Sequence, residues 1–352
     1  MASNTWGKHF RLTTFGESHG SAIGGVIDGC PSNFIIDTAA IQLQLNRRRP
    51  NQNDWVSPRN EADEVEFLSG IFEGKTTGAP IGFVIKNNDQ KSRDYDQIKD
   101  IYRPGHADYV YDAKYGHRDH RGGGRSSARE TACRVVAGEI ARQLLATKSI
   151  QARAYVSSIK DCCVPKNYGF LDLTKIDLSP VRCPDETTSE RMIQLIQQAK
   201  ENQDSLGGII TCVIENVPVG WGSPIYEKLN ATLAHGIFSL NAVKGFEMGD
   251  GFSSTLKWGS QNNDAVLGGT NHEGGITAGI SNGKDIWFKV AFKPTSSIGQ
   301  RQETINKNNE TVKLELEGRH DPCVVIRAVP IIEAIAYFTL LNSYLESKIE
   351  SL

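Results

Sequence analysis

A run of glycines followed by arginines stands at the centre of the sequence and has the residue types of an anion site. It reads Gly122-Gly123-Gly124-Arg125 and leads into apolar residues at helical spacing. Glycines let a backbone approach a ligand closely, because they carry no Cβ and tolerate positive φ. Free N–H groups at a helix N-terminus and guanidinium groups both suit phosphate or carboxylate oxygens. The segment therefore predicts an anion site that also uses Arg125, Arg129 and Arg134.

Two simpler interpretations of this segment stay open. The glycines alone can form a surface turn, and the arginines can be the solvated face of a helix. A nucleotide P-loop is not indicated, because no lysine follows the glycines at the required spacing. The anion site is favoured by the order of these features, in which the glycines and arginines lead directly into a predicted helix.

His19 is a second candidate for chemistry. It lies with Ser18 between Gly16 and Gly20, and apolar residues flank both glycines. This pattern predicts two short strands joined by a turn with Ser18 and His19 at its tip. An unperturbed histidine has a pKa of about 6.5, so it can donate a proton to a leaving group near neutral pH. A turn histidine without function is the alternative.

Helices must position these residues, and their ends can be read from the sequence. Ser127 and Glu130 have the spacing of a capping box, which predicts the start of a helix whose buried face steps by four from residue 128 to residue 144. Asp37 is predicted to cap a helix that ends at Pro50, with Ile41 and Leu45 facing inward and arginines in the last turn. A third helix is predicted over residues 186–200.

Prolines and apolar runs place the other elements. Pro224 and Pro330 are each predicted to start a helix at its first position. Strands are predicted over residues 81–86, 151–159, 209–215 and 286–292, and a polar, mobile loop over 87–99. Three further loops carry anion-binding or polar groups, namely 241–245, 293–297 and 318–323.

Composition limits the class of protein. The chain has 352 residues and a formal net charge of −2, which argues against a general nucleic-acid binder. Seven cysteines without C-x-x-C spacing predict a reducing compartment, with Cys133 and Cys323 as small core residues. No secretory signal pattern opens the chain, and the longest apolar stretch, 328–341, is too short to span a bilayer. We expect a soluble cytoplasmic protein that does not act on a membrane.

Three motifs carry a resemblance to a known family. They are Gly16-Glu17-Ser18-His19-Gly20, Gly124-Arg125-Ser126-Ser127-Ala128-Arg129-Glu130-Thr131 and Arg319-His320-Asp321-Pro322-Cys323. In this order they resemble the three signatures of chorismate synthase, and Arg47-Arg48-Arg49-Pro50, Arg103-Pro104-Gly105-His106 and residues 293–297 also fit. The resemblance runs from about residue 4 to the last predicted helix.

The resemblance implies an α+β fold, a single-domain β-α-β-α sandwich of antiparallel sheets and helices over residues 1–352. It also implies a homotetramer, reduced FMN as the cofactor, and conversion of 5-enolpyruvylshikimate 3-phosphate to chorismate by anti 1,4-elimination. This is a carbon–oxygen lyase reaction of the shikimate pathway, which leads to the aromatic amino acids. It has no net redox change, so the reduced flavin lends charge only transiently as phosphate leaves.

The resemblance also implies roles for individual residues. His19 protonates the departing phosphate, His106 keeps the reduced flavin correctly protonated, and Asp321 relays the ring proton through the flavin N5 region. Ser18 and Ser127 assist them. The substrate-binding residues are Arg48, Arg134 and Arg327, with Arg103 and Arg129 as weaker candidates. The FMN contacts are Arg125, Ser126, Ser127, Asn241, Ala242, Ala278, Lys293, Pro294, Thr295, Ser296, Ser297 and Arg319, and no metal is implied.

One departure from the family concerns NADPH. Family members can carry a second basic residue shortly after the arginine-proline run, assigned to nicotinamide-nucleotide binding, whereas this chain has Asn51-Gln52-Asn53-Asp54. We therefore expect the monofunctional type, which depends on FMN reduced elsewhere by an external flavin reductant. A bifunctional enzyme that reduces its own FMN with NADPH is the alternative, and an RNA-binding module that uses the arginine-glycine loop is a more distant one.

Overall fold

The computed structural model describes residues 3–49, 61–88, 98–316 and 321–350. The strands are β1 (Thr5–Trp6), β2 (Arg11–Gly16), β3 (Ala22–Asp28), β4 (Val65–Phe67), β5 (Ile71–Phe72), β6 (Lys75–Thr76), β7 (Ile81–Lys86), β8 (Gln151–Ile159), β9 (Cys162–Cys163), β10 (Gly208–Glu215), β11 (Val243–Met248), β12 (Ile276–Thr277), β13 (Ile280–Ser281), β14 (Ile286–Phe292), β15 (Gln302–Ile305) and β16 (Thr311–Leu314). The helices are α1 (Thr38–Arg48), α2 (Asp108–Tyr115), α3 (Thr131–Leu144), α4 (Glu186–Glu201), α5 (Leu229–Phe238), α6 (Gly259–Asn262) and α7 (Val325–Glu350).

Two five-stranded antiparallel sheets enclose the central helices. The first sheet has the order β1-β2-β3-β7-β4 and the second β11-β14-β10-β8-β9. Helix α3 packs on β2 and β3 of the first sheet, α7 packs on β8 and β10 of the second, and the two helices pack against each other. The predicted α+β class with antiparallel sheets is confirmed.

For several predicted elements, the positions of the first or last residues are confirmed as well. Strands β7, β8 and β14 have the predicted bounds, and β10 starts one residue earlier than predicted, at Gly208. Asp37 caps α1 by accepting a hydrogen bond from the Ala40 N–H at 2.9 Å, and Ile41 and Leu45 are fully buried. Cys133 and Cys323 are buried core residues, as predicted.

Helix α7 lies in the core and extends beyond the apolar stretch 328–341 at both ends. The helix has 26 residues, so by length and composition it could cross a membrane, unlike the shorter stretch predicted from the sequence. Its most apolar window has a mean hydropathy of 1.5, and 89% of that window is buried against the other elements. Because this apolar surface is covered by the protein itself, α7 is a core helix of this fold.

Pro330 does not start the last helix, because α7 begins at Val325 and continues through the proline. A proline within a helix leaves the carbonyl four residues earlier without its usual N–H donor. Here that carbonyl belongs to Ile326, and the Arg182 Nη1 donates to it at 2.8 Å. A distant side chain thus satisfies the carbonyl, and the helix is not interrupted.

Two other helix starts were also predicted wrongly. Ser127 does accept from the Arg129 N–H at 3.3 Å, but the Glu130 carboxylate accepts from Thr14 and Arg134 and does not complete a capping box. A short 3₁₀ turn follows Ser127, and α3 begins only at Thr131. Helix α5 begins at Leu229 instead of Pro224.

Candidate active site

The turn between β2 and β3 holds Ser18 and His19, as predicted. Ser18 Oγ lies 3.0 Å from His19 Nδ1, and both side chains are buried. The Ser18 N–H donates to the Gly124 carbonyl at 3.3 Å. The glycine run therefore lies directly against the histidine turn, although the two are more than a hundred residues apart in the chain.

Gly122 makes the closest approach to His19. Its φ is +70°, and a Cβ at this position would lie 2.4 Å from His19 Cε1 and 3.1 Å from Ser18 Oγ. The Gly122 carbonyl accepts from Arg103 Nη2 at 2.9 Å, which holds this backbone in place. A glycine is required here both for the left-handed conformation and for the space that the histidine ring occupies.

We expect Gly122→Ala to lower turnover more strongly than Gly116→Ala. Gly116 has the same φ of +70° but nothing within 4 Å of its Cβ position. Both variants carry the backbone strain of about 1–3 kcal/mol, so the difference between them isolates the displacement of His19. Turnover and thermal unfolding of the two variants, measured side by side, test this. Equal turnover in the two variants would show that Gly122 does not set the position of the ring.

A buried carboxylate joins two of the predicted arginines. Asp63 Oδ2 accepts from Arg48 Nη1 at 2.7 Å, and Asp63 Oδ1 accepts from Arg129 Nη1. Burial raises the pKa of Asp63, but the charges of Arg48 and Arg129 outweigh that effect and hold it below its usual value. Because Arg129 is buried and paired, it does not belong to a solvated helix face.

Arg48 is a fully buried cation. Burial, opposed by the charge of Asp63, lowers its pKa to about 10, so it stays protonated at neutral pH. Its Nε and Nη2 donate to Thr131 Oγ1 and to the Ala128 carbonyl, each at 3.1 Å. The start of α3 therefore fixes the orientation of this guanidinium.

Asp321 connects the arginine cluster to the loop after β14. Its Oδ2 accepts from Arg327 Nη1 at 2.9 Å, and its carbonyl accepts from Thr295 Oγ1 at 2.7 Å. Arg327 Nε in turn lies 3.5 Å from the Arg48 carbonyl. Two predicted substrate arginines and the predicted proton relay thus belong to one set of contacts.

His106 is held in one tautomer when it is neutral. Its Nδ1 lies 3.0 Å from the Pro104 carbonyl, which can only accept, so Nδ1 carries the proton. Nε2 then accepts from Ser297 Oγ at 2.9 Å. Burial, together with the charges of Arg103 and Lys293, lowers the pKa of His106 below its ordinary value of 6.5. At neutral pH the ring is therefore mainly uncharged.

The loops predicted to contact FMN are joined to one another. Asn241 Nδ2 donates to the Ser126 carbonyl, and the Ala242 carbonyl accepts from the Lys293 N–H at 2.9 Å. Lys293 Nζ donates to Ser296 Oγ at 2.8 Å and to the Gly105 carbonyl at 3.2 Å. Residues 125–127, 241–242 and 293–297 therefore surround one region next to His106.

Some predicted residues lie apart from this region or outside the described residues. Arg134 contacts Glu130 and Ser239, near the 241–242 loop, and not the Arg48 cluster. Ala278 lies between β12 and β13, next to the N-terminal end of α5, whereas Asn241 follows its C-terminal end about 15 Å away. Arg319 and residues 51–54, which bear on NADPH, lie outside the described residues.

Two residues of the site were missed by the sequence analysis. Asp63 pairs with two buried arginines, and Asn87, predicted to open a mobile loop, is buried and contacts Arg129. Asp63 lies in an unremarkable acidic stretch that carries no signal for burial. Asn87 directly follows the predicted strand at Lys86, which is the only local indication that it is fixed.

Comparison with known proteins identifies the family. The family model described as chorismate synthase matches residues 10–345. The chain belongs to the chorismate synthase family. Chorismate synthases of Christiangramia forsetii and Porphyromonas gingivalis are 56% and 55% identical to it, over 99% and 98% of this chain and 99% and 96% of their own length. A crystal structure of chorismate synthase superposes with a TM-score of 0.76 at 30% identity, covering 97% of this chain and 93% of that chain.

This membership makes the chain a carbon–oxygen lyase of the shikimate pathway. The resemblance drawn from the three motifs is confirmed over nearly the whole chain, and the enzyme class predicted from it is confirmed as well. The match also favours an enzyme over the RNA-binding module.

Proposed function

We propose that this chorismate synthase converts 5-enolpyruvylshikimate 3-phosphate to chorismate and phosphate by anti 1,4-elimination with reduced FMN bound. The observation that carries the proposal is the continuous set of contacts that joins the candidate acid His19, the neutral His106 and Asp321. His19 packs on Gly122, and Gly122 is bonded to Arg103. The Arg103 carbonyl accepts from the backbone N–H of His106 at 3.3 Å. The loop 293–297 then joins His106 to Asp321, because Ser297 Oγ contacts His106 Nε2 and Thr295 Oγ1 donates to the Asp321 carbonyl.

The arginines supply the charge that this substrate needs. A phosphate and two carboxylates require several cations, and guanidinium groups suit them best because they form paired, charge-assisted hydrogen bonds. We assign substrate binding to Arg48 and Arg327, with Arg103 and Arg129 beside them. The contacts of Arg134 with Glu130 and Ser239 support a position for this residue closer to the FMN than to the substrate.

The residues assigned to FMN fit a phosphate-bearing group. Arg125 Nη1 is buried and has no hydrogen-bond partner among the described residues, while Nη2 donates to the Thr14 carbonyl at 2.9 Å. A phosphate would satisfy this donor, and Ser126, Ser127 and Lys293 lie in the adjoining loops. When bound, reduced FMN supplies electron density transiently as the phosphate leaves.

The local contacts of each side chain support the other proposed roles. His19 donates a proton to the departing phosphate, with Ser18 Oγ at its Nδ1 orienting the ring. His106, neutral and fixed by Ser297, maintains the protonation of the cofactor. Asp321, held by Arg327, accepts the ring proton. Ser127 assists from the start of the 3₁₀ turn.

Anaerobic turnover tests the proposal. Chorismate is expected from 5-enolpyruvylshikimate 3-phosphate when FMN is reduced by dithionite, and not when oxidised FMN and NADPH are supplied without a reductase. Product under both conditions would show that the enzyme is bifunctional and reduces its own FMN with NADPH. No product under either, from folded protein that binds FMN, would contradict the proposed reaction.

We also propose a single-domain, cytoplasmic homotetramer. The single domain is supported by one buried cluster that includes residues of both sheets and of the helices between them. The tetramer is supported by exposed apolar side chains concentrated in one part of the chain. These are Phe252, Leu256, Trp258, Val266 and Leu267. Apolar surface of this kind is typical of protein interfaces.

A further inference from the structure

We propose that Asn87 is a positioning residue that holds His19 in its working orientation. The inference rests on the proposed role of His19 as the acid. Asn87 directly follows β7, which pairs with β3, and its backbone N–H donates to the Ser21 carbonyl at 3.1 Å. The asparagine is therefore fixed to the strand that follows the histidine turn.

The side chain of Asn87 holds both ends of that turn. Its Nδ2 donates to the Glu17 carbonyl at 3.0 Å and to the Gly20 carbonyl at 2.8 Å. These two carbonyls bracket Ser18 and His19 in the sequence. Both N–H groups of one amide are thus used to set the shape of the turn, which in turn sets where the imidazole points.

The asparagine is itself anchored to the arginine cluster. Its Oδ1 accepts from Arg129 Nε at 2.9 Å, and Arg129 is paired with the buried Asp63. An asparagine suits this place because it accepts from a guanidinium and donates to two carbonyls at the same time. Aspartate has the same shape and could still accept from Arg129, but it has no N–H to donate.

On its other side the histidine ring meets Gly122, so the turn is fixed between two supports. Loss of the Asn87 donors removes this partner from the Gly20 carbonyl, leaves the Glu17 carbonyl with the Gly20 N–H at 3.2 Å, and frees the turn on one side only. Displacement of a catalytic group by about 1 Å can cost on the order of 10²-fold in rate. The effect should fall on kcat, because Asn87 does not contact the substrate in this proposal.

Asn87→Asp removes the two donated hydrogen bonds and adds a negative charge, so Asn88→Asp, which adds the same charge at the next residue, is the matched control. Asn88 is the next residue and of the same type, but its side chain is exposed. We expect Asn87→Asp to lower kcat at least tenfold with the KM for 5-enolpyruvylshikimate 3-phosphate nearly unchanged. The NMR signal of His19 is assigned in histidine-labelled protein by its loss in His19→Ala. It should shift in Asn87→Asp and in the uncharged Asn87→Ser, and not in Asn88→Asp.

The outcomes separate this inference from the proposed function. Folded Asn87→Asp with the wild-type kcat and an unshifted His19 signal would overturn it. If His19→Ala itself keeps full turnover, the role of His19 fails, while the signal shift still decides whether Asn87 positions the ring. Should Asn87→Asp not fold, Asn87→Ser, which retains one donor, is expected to show a smaller loss of kcat in the same direction, and an unchanged kcat would overturn the inference.

Discussion

His19→Ala is expected to lower turnover by about 10²–10⁴-fold, the range by which a positioned general acid accelerates a reaction. The imidazole is buried against Gly122 and lies 3.0 Å from Ser18 Oγ, so its removal takes a fixed donor out of the site. Phosphate then has to leave without a proton from the enzyme, which raises the barrier. Anaerobic turnover with dithionite-reduced FMN measures the loss.

His235→Ala is the control for that measurement. His235 lies exposed on α5, so its removal should leave turnover unchanged. FMN binding and thermal unfolding of both variants show whether the site remains assembled. Near-wild-type turnover in folded His19→Ala would show that His19 is not the general acid. Ser18 and His106 would then be the next groups to test.

The elements that could be predicted from the sequence are those governed by local patterns. Alternation and continuous apolar runs gave β7, β8 and β14 with their ends, and the Asp37 cap gave the start of α1. The errors have tertiary causes. Pro330 lies inside α7 because Arg182 satisfies the carbonyl that the proline leaves without a donor, and no local rule contains that contact.

The candidate site follows the same division. Histidines, glycines and arginines could be selected by their chemistry, because motifs preserve residue type and order. The buried partners of the arginines could not be selected in this way. Asp63 and Asn87 become recognisable only when the fold places them against Arg48 and Arg129, since an acidic residue or an asparagine in a polar stretch is ordinarily exposed.

Burial also changes the interpretation of the arginines at the end of α1. From the sequence, the helix dipole partly explains the three arginines at the end of the predicted helix. In the structure Arg48 is fully buried, whereas Arg47 forms ion pairs with Glu333 and Asp177. Arg47 and Arg48 therefore have different roles although they are neighbours of the same type, and of the two only Arg48 belongs to the candidate site.

Asp63→Asn is expected to destabilise the protein by about 3–5 kcal/mol, because it leaves Arg48 and Arg129 buried without their counter-charge. Asparagine keeps the shape of the side chain and tolerates the left-handed backbone at this position, where φ is +52°. The loss of stability therefore measures the removal of the charge and not a change in backbone strain. Urea unfolding at pH 7 measures it.

The pH dependence of that loss gives a second test. The folded-state pKa of Asp63 lies below its ordinary value of 3.8, because the charges of Arg48 and Arg129 outweigh the effect of burial. The stabilisation is therefore present above pH 3.8 and is lost as the pH falls through the lower folded-state value. The difference between wild type and Asp63→Asn should shrink in acid.

Glu66→Gln is the control for this charge removal. Glu66 and Lys86 form an ion pair at 3.4 Å on the surface of the first sheet, with both side chains exposed. Water screens such a pair, so its loss should change stability by less than about 0.5 kcal/mol. If Asp63→Asn costs no more than Glu66→Gln, the two arginines are not held by Asp63. The two cations would then have to be oriented by their other contacts, Arg48 by the start of α3 and Arg129 by Asn87.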